Sequence, residues 1–348
     1  MPTRQRIAQE IEREGGWVPF ARYMQLALHE PGLGYYASGA RKFGPQGDFV
    51  TAPELGDLFG RTLARQLAGV PGGRVLELGA GSGALAETLL EALDCEYLIL
   101  ETSAELRERQ QARLGNKITH TENLPTDFRG VIIANEVADA MPVHLVHWTA
   151  NGILERGVSA DFRWVDKPAT GALLEHAGEI QVPIPYVSEI NLLARPWMRS
   201  LVDALGSGAI FVIDYGFPRH EYYHPQRSAG TLMCHYRHQA HADPFARPGE
   251  EDITAHVDFS ALAQAALEAG AEVLGYATQA QFLVNCGITD VLGEANLENA
   301  LHYAPIAAQA QKLLSPSEMG ELFKVLAVGK GLDAPLLGFS SGNRAHTL

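Results

Sequence analysis

The chain has 348 residues, 46% hydrophobic and 20% charged, an ordinary globular composition with room for one large domain or two. A net charge of −14 argues against a nucleic-acid partner, which needs a basic face. The three cysteines, Cys95, Cys234 and Cys286, are scattered and odd in number, so they suggest no disulfide framework or zinc ribbon and fit a reducing, cytoplasmic setting.

The opening "MPTRQRIAQEIEREGG" mixes charges and includes acids, unlike a signal or transit peptide. Its Ile7 and Ile11, and then Phe20, Tyr23, Met24, Ala27 and Leu28, repeat at helical spacing and predict two helices within residues 3–30. Pro31 and Gly32 stop them, and the Gly-rich "ASGARKFGPQGDFVTAPE" follows as a loop. A helix over "ELGDLFGRTLARQLAG" then ends at Pro71-Gly72-Gly73. From Arg74 apolar runs alternate with helical stretches: "RVLEL", "ALAETLLEAL", "EYLILET", "AELRERQQARL", "GVIIANE". This alternation predicts βαβ units and an α/β fold with a parallel sheet. "GAIFVIDYG" adds a further strand, and 271–279 with 322–330 form a hairpin-like edge. Between them Asn151-Gly152 marks a hairpin, and 186–205 reads as a helix broken at Pro196. Trp197 and Met198 on that helix suit a core or a homodimer contact. No run of about 18 apolar residues is present, so no membrane span is expected.

"RVLELGAGSGALAETLL" carries the most chemistry. A strand runs into Gly79, Gly81 and Gly83 and then into a helix, a turn that lets backbone N–H groups approach a ligand. No Gly-Lys-Ser/Thr follows, which excludes a P-loop. Gly79-x-Gly81-x-x-Ala84 fits a loose dinucleotide pattern. Glu77, two residues before Gly79, instead completes the acid-x-Gly-x-Gly-x-Gly of S-adenosylmethionine (SAM) enzymes. A carboxylate repels a pyrophosphate and suits an ammonium, which favours SAM over NAD. Glu101 ends the next strand, placed to accept both ribose hydroxyls of either cofactor. The strand "VIIAN" ends on Asn135 and Glu136, with Asp139 and Pro142 beyond; a carboxylate at such a core edge must be hydrated, paired or protonated.

The chain resembles the MidA family of SAM-dependent methyltransferases, which includes the mitochondrial complex I assembly-factor methyltransferase. The resemblance is carried in order by "GDFVTAPELGDLFG", "VLELGAGSGALA", "LETS", "ANEVADAMPV", "FVIDYG", "HADPFARPGEEDITAHVDF" and "MGELFKVLAVG". Val137-Ala138 stands where the family has aromatics, and Ala80 where it has proline. The resemblance implies a Rossmann-like SAM methyltransferase fold with an N-terminal helical cap and an inserted hairpin and helix. Residues 1–70 are then the cap and lid loop, 71–144 and 208–332 the methyltransferase domain, 145–207 the insertion and 333–348 a flexible tail. It also implies a protein substrate with a target arginine, of the kind found in a respiratory complex I subunit. Glu136, helped by Asp139, is the candidate grip on a guanidinium. His256 is a candidate proton acceptor or orienter. Asn135 joins Glu77, Gly79, Gly81, Gly83 and Glu101 as cofactor contacts, with Asp48, Thr51 and Glu54 supplied by a lid. The bland alternatives are Thr51 as a helix cap, Asp139 as another cap, and Glu136 on the SAM ammonium. His235, His238 and His241 read as a loop over the site and not as a metal centre, because Asp243 is their one nearby carboxylate. Competing functions are a small-molecule or NAD-dependent enzyme on the same fold, and an assembly chaperone retaining SAM binding as a relic.

Overall fold

The computed structural model describes residues 3–32, 34–37, 51–294 and 300–348, which fall into two compact units. The larger comprises Val50–Ala138, Trp197–Gly216 and Phe259–Leu348. Its sheet contains β1 (Arg74–Leu78), β2 (Glu96–Leu100), β3 (Ile118–Thr121), β4 (Phe128–Asn135), β5 (Leu205–Phe217), β6 (Glu272–Thr278) and β7 (Phe323–Lys330). They lie in the order β6-β7-β5-β4-β1-β2-β3. Strands β1 to β5 are mutually parallel, and β7 runs antiparallel to both β5 and β6. Parallel strands covered on both faces need continuous apolar runs, which is why Val131–Ala134 and Ala209–Ile213 are fully buried or nearly so. The helices α1 (Leu58–Leu67), α2 (Ala84–Ala92) and α3 (Ala104–Leu114) follow the apolar spacing of their sequences. Leu58, Phe59, Leu63 and Leu67 of α1 enter the same core as Val75, Ile133, Phe211 and Val325.

The chain order reverses between β1 and β4, which are hydrogen-bonded neighbours with Leu78 opposite Ala134. Helices connect to opposite faces on either side of such a switch, leaving a crevice outside the carboxyl ends of the strands. The glycine loop and Asn135-Glu136 are the two segments that leave the sheet there.

The smaller unit comprises Met1–Phe49, Asp139–Pro196 and Phe217–Asp258. Its antiparallel sheet runs Trp17–Pro19, Gly152–Ser159, His144–Thr149, Tyr186–Ile190, with Trp164–Pro168 also pairing Gly152–Ser159. The hairpin expected at Asn151-Gly152 is present, with Thr149 opposite Gly152. Alternation sorts the side chains: Leu145 joins Ile7, Ile11, Phe20, Tyr23 and Met24 of the N-terminal helices on one face. Val146 and Trp148 join Leu173, Tyr186, Tyr222 and Tyr223 on the other.

Four expectations change. The N-terminal cap and the insertion are one unit, because Trp17–Pro19 is an edge strand on Gly152–Ser159. Residues 51–70 belong instead with the larger sheet. Tyr186–Ile190 is a strand and not the first half of a helix; its pairing with His144–Thr149 outweighs local helical spacing, and a helix begins only at Ala194. Finally, the segment from Asp333 is packed and not frayed. Leu336 and Phe339 are buried, and Phe339 meets Phe282 with ring centroids 5.3 Å apart.

Candidate functional site

The glycine loop takes its shape from backbone that side chains disfavour. Gly79, Gly81 and Gly83 have φ of 62°, 53° and 82°, all left-handed. A Cβ at Gly79 would lie 3.2 Å from Val137, and one at Gly83 3.1 Å from Leu114. Gly79 N–H donates to the Leu100 carbonyl at 2.9 Å, tying the loop to the end of β2.

Two buried acids flank this loop and differ in their partners. Glu77 accepts a hydrogen bond from the Tyr97 hydroxyl at 2.7 Å. Burial pushes its carboxyl up to about 7, against the opposing pull of that hydroxyl. One of its oxygens therefore serves the interior of the sheet. Glu101 accepts from Ser103 N–H at 2.9 Å and from the Gln110 amide at 3.2 Å. Burial raises its carboxyl too, opposed first by the Ser103 N–H. Gln110 also donates to the Gly81 carbonyl at 2.9 Å, and its own oxygen lies 2.9 Å from His120 Nε2. A fully buried amide thus locks the glycine loop to the acid placed for a ribose.

At the end of β4, Glu136 has φ 54°, a left-handed conformation that is strained for a side chain of this size. Its N–H donates to Ile213 O at 2.9 Å, so the neighbouring strand holds the conformation. Its Oε1 accepts from Ala52 N–H and from the Asn135 amide, each at 3.2 Å. Asn135 Oδ1 is buried and has no hydrogen-bond partner among the described residues. Such an acceptor invites a donor from a ligand.

The segment read as a lid forms a 3-10 turn, Ala52–Leu55. Thr51 is buried and its side chain does not cap that turn. Glu54 accepts a hydrogen bond from the Ser82 hydroxyl of the glycine loop, and Ala52 reaches Glu136 as described. The structure therefore gathers Thr51, Glu54, the glycines, Glu77, Glu101, Asn135 and Glu136 around the ends of three neighbouring strands, β4, β1 and β2. Asp48 lies outside the described residues.

Asp139 and His256 belong to the smaller unit. Asp139 is buried, and its carbonyl accepts from Ala255 N–H at 3.0 Å, beside His256. His256 N–H donates to Thr231 Oγ1 at 3.0 Å, and its ring lies 5.1 Å from that of Phe217. Near them the Tyr36 hydroxyl donates to Asp252 at 2.9 Å; burial, then Asp252 and Asp139, push that phenol well above its usual range.

Three site residues escape sequence reading. Gln110 sits between Leu106 and Leu114 at four-residue spacing, so the helical period itself marks an amide on the buried face. Tyr97 leaves no sequence trace beyond strand propensity. Asp214 ends an apolar run as Glu136 does; fully buried, it accepts from Ala138 N–H at 2.9 Å and Tyr215 N–H at 2.8 Å. It fixes the turn that follows Glu136.

The profile of a family of S-adenosyl-L-methionine-dependent methyltransferases matches residues 58–277. A protein from Burkholderia thailandensis, solved bound to S-adenosyl-homocysteine, is 48% identical over 99% of this chain and 97% of its own, with a TM-score of 0.95. Proteins named protein arginine methyltransferase NDUFAF7, mitochondrial, from Xenopus tropicalis, and its homolog from Drosophila melanogaster are 29% and 28% identical. Each match covers 93% of this chain and 86% of the relative.

Proposed function

We propose that this chain, which belongs to that S-adenosyl-L-methionine-dependent methyltransferase family, transfers the methyl group to an arginine of a protein substrate. The orphaned Asn135 Oδ1, the left-handed glycine loop and the buried Glu101 make a cradle that fits the cofactor. Bound SAM supplies a methyl group activated on a sulfonium. Glu101 is placed to hold the ribose hydroxyls, Gln110 to fix the loop, and Asn135 Oδ1 to accept a ligand N–H. Thr51, Glu54 and Glu77 shape the cradle, the last through Tyr97.

The observation that carries the acceptor is Glu136: a carboxylate in strained backbone at the strand end next to the cofactor loop, braced by Ala52 and Asn135. A braced carboxylate can hold a planar guanidinium in one orientation and draw its charge away from the attacking nitrogen. The nitrogen forms the new N–C bond as the S–C bond breaks, and it then sheds a proton. The names of the curated relatives support arginine as the acceptor, and the family resemblance makes a respiratory complex I subunit the first protein to try. A cytoplasmic location is part of the proposal, on the scattered free cysteines.

Labelled SAM incubated with the protein in a cell lysate, followed by mass spectrometry, tests the acceptor. Label on an arginine supports the proposal; label on a small molecule overturns it, and SAM binding without transfer points to the assembly-chaperone reading. Glu136→Gln keeps the shape and one acceptor oxygen. SAM affinity is expected to stay within about threefold while single-turnover transfer falls on the order of a hundredfold. A large loss of affinity returns Glu136 to the cofactor.

A further inference from the structure

The smaller unit contains a cluster that methyl transfer does not use. Three short strands, Met233–Tyr236, Gln239–His241 and Asp252–Thr254, form an antiparallel sheet with the first in the middle. Arg237 and His238 turn between the first two, both left-handed at φ 48° and 62°. Two such residues make the tight hairpin whose twist matches its strands, and this fixes the register. Cys234 is therefore directly opposite His241 on one side and Ile253 on the other. Paired residues share a face, and so does a residue two along from either, which adds Glu251 to the set.

The result is three donors of different kinds at one point. A thiol sulfur, an imidazole nitrogen and a carboxylate oxygen from Cys234, His241 and Glu251 lie within 4.8 Å of one another. His241 Nε2 is 3.1 Å from Glu251 Oε2. The Glu251 side chain is fully buried, Cys234 likewise, and His241 is partly open to solvent. A tetrahedral ion with bonds of about 2.0–2.3 Å sets its ligands roughly 3.2–3.6 Å apart. The histidine–carboxylate pair already has nearly that separation, and the thiol needs a shift of roughly an ångström at most to reach it.

We propose that Cys234, His241 and Glu251 form a zinc site with three protein ligands and a fourth position open to water. Thiolate, imidazole and carboxylate together suit a borderline ion; calcium and magnesium prefer oxygen alone. The ion links the middle strand, the end of its hairpin partner and the residue that leads into the third strand, and it compensates a carboxylate buried beside a thiol. Sequence spacing hid the site, because it pointed to His235 and His238, and strand alternation puts His235 on the opposite face from Cys234. The carboxylate beside His241 is that of Glu251, ten residues on, while Asp243 meets the ring through its backbone N–H, which donates to Nδ1 at 3.3 Å.

The full-length protein, stripped with a chelator, is titrated with zinc alone against a chromophoric competitor, and separately with cobalt. One zinc per chain is expected, with a thiolate-to-cobalt charge-transfer band in the near-ultraviolet. Cys234→Ser should abolish that band, and His241→Gln, at a partly exposed position and with a donor kept for Glu251, should weaken zinc affinity at least tenfold. Zinc should raise the melting temperature of the natural chain and not that of Cys234→Ser. No zinc retained beyond that on Cys234→Ser, or a cobalt spectrum without the thiolate band, overturns the proposal and leaves Glu251 and His241 as a hydrogen-bonded pair.

Discussion

Glu77 and Glu101 are both buried acids at the edge of one loop, yet their partners assign them opposite expectations. Glu101 is met by a backbone N–H and an amide that also grips Gly81, so its carboxylate is aimed and braced. Glu101→Ala is expected to weaken SAM binding by roughly 1.5–3 kcal/mol, the worth of a hydrogen bond to a charged group. Calorimetry on the variant reads this directly, and an unchanged affinity places the ribose elsewhere. Glu77 faces Tyr97, and burial raises its carboxyl from 4.5 to about 7. The sign follows from proton counting. Between those values the folded protein holds a proton that the unfolded chain has released, so this stability is fully present below pH 4.5 and is lost as pH rises through about 7. Glu77→Gln cannot titrate, and its amide oxygen still accepts from Tyr97. Melting temperatures of cofactor-free protein should therefore show the variant gaining on the natural chain from pH 5 to pH 8. A pH-independent difference would refute the assignment.

Strand ends in both units carry buried carboxylates that pin a loop. In the smaller unit Glu189, at 1% exposure, accepts from Thr231 N–H and Leu232 N–H, both at 2.8 Å, and from the Tyr222 hydroxyl at 3.3 Å. Thr231 in turn receives His256 N–H. Glu189→Ala would strand these donors in the interior, at a cost of about 3 kcal/mol or more. Urea denaturation should show that loss, and Glu189→Gln, which retains acceptors, should recover part of it. Equal stability of Glu189→Ala and the natural chain would mean that the loop is held by other contacts. Such carboxylates mark how far the sequence is legible. Parallel strands announced themselves as apolar runs, and the glycine loop, Glu101 and Asn135-Glu136 were found because each interrupts such a run. Tyr186–Ile190 departs from its helical spacing because its pairing is with a strand about forty residues earlier, a non-local contact that periodicity does not carry. The bracing of Glu136 by Ala52 is hidden for the same reason, since 84 residues separate them. The spacing of Gln110 between Leu106 and Leu114 carries a signal that apolar periodicity alone passes over, whereas Tyr97 carries none.

A sheet that is open at both ends must protect its edges from pairing with other chains. At one edge β3 is only four residues long, Ile118–Thr121, which is protection by shortness. At the other edge β6 spans seven residues, Glu272–Thr278, and the C-terminal segment covers it. Tyr276 N–H donates to Asn343 Oδ1 at 3.2 Å, and Arg344 N–H donates to Tyr276 O at 2.7 Å. Close by, Gly338 N–H donates to the buried Gln66 amide oxygen at 2.7 Å, and Phe339 fills the space over Gly275, where a Cβ would lie 2.1 Å from its ring. The segment expected as a flexible tail is instead a chain thin enough to lie against an edge strand. Removing residues 333–348 would expose Phe282, leave Gln66 buried without its partner and open β6 to pairing. The truncated chain is expected to melt several degrees lower and to aggregate on heating. A milder variant separates the two effects: Phe339→Ala removes the packing and keeps the backbone cover. It should lower stability by about 3 kcal/mol, as for a buried aromatic truncated to alanine, without the aggregation. Light scattering during thermal melts of both variants distinguishes them, and a truncated protein that melts reversibly at the natural temperature would show that the edge needs no cover.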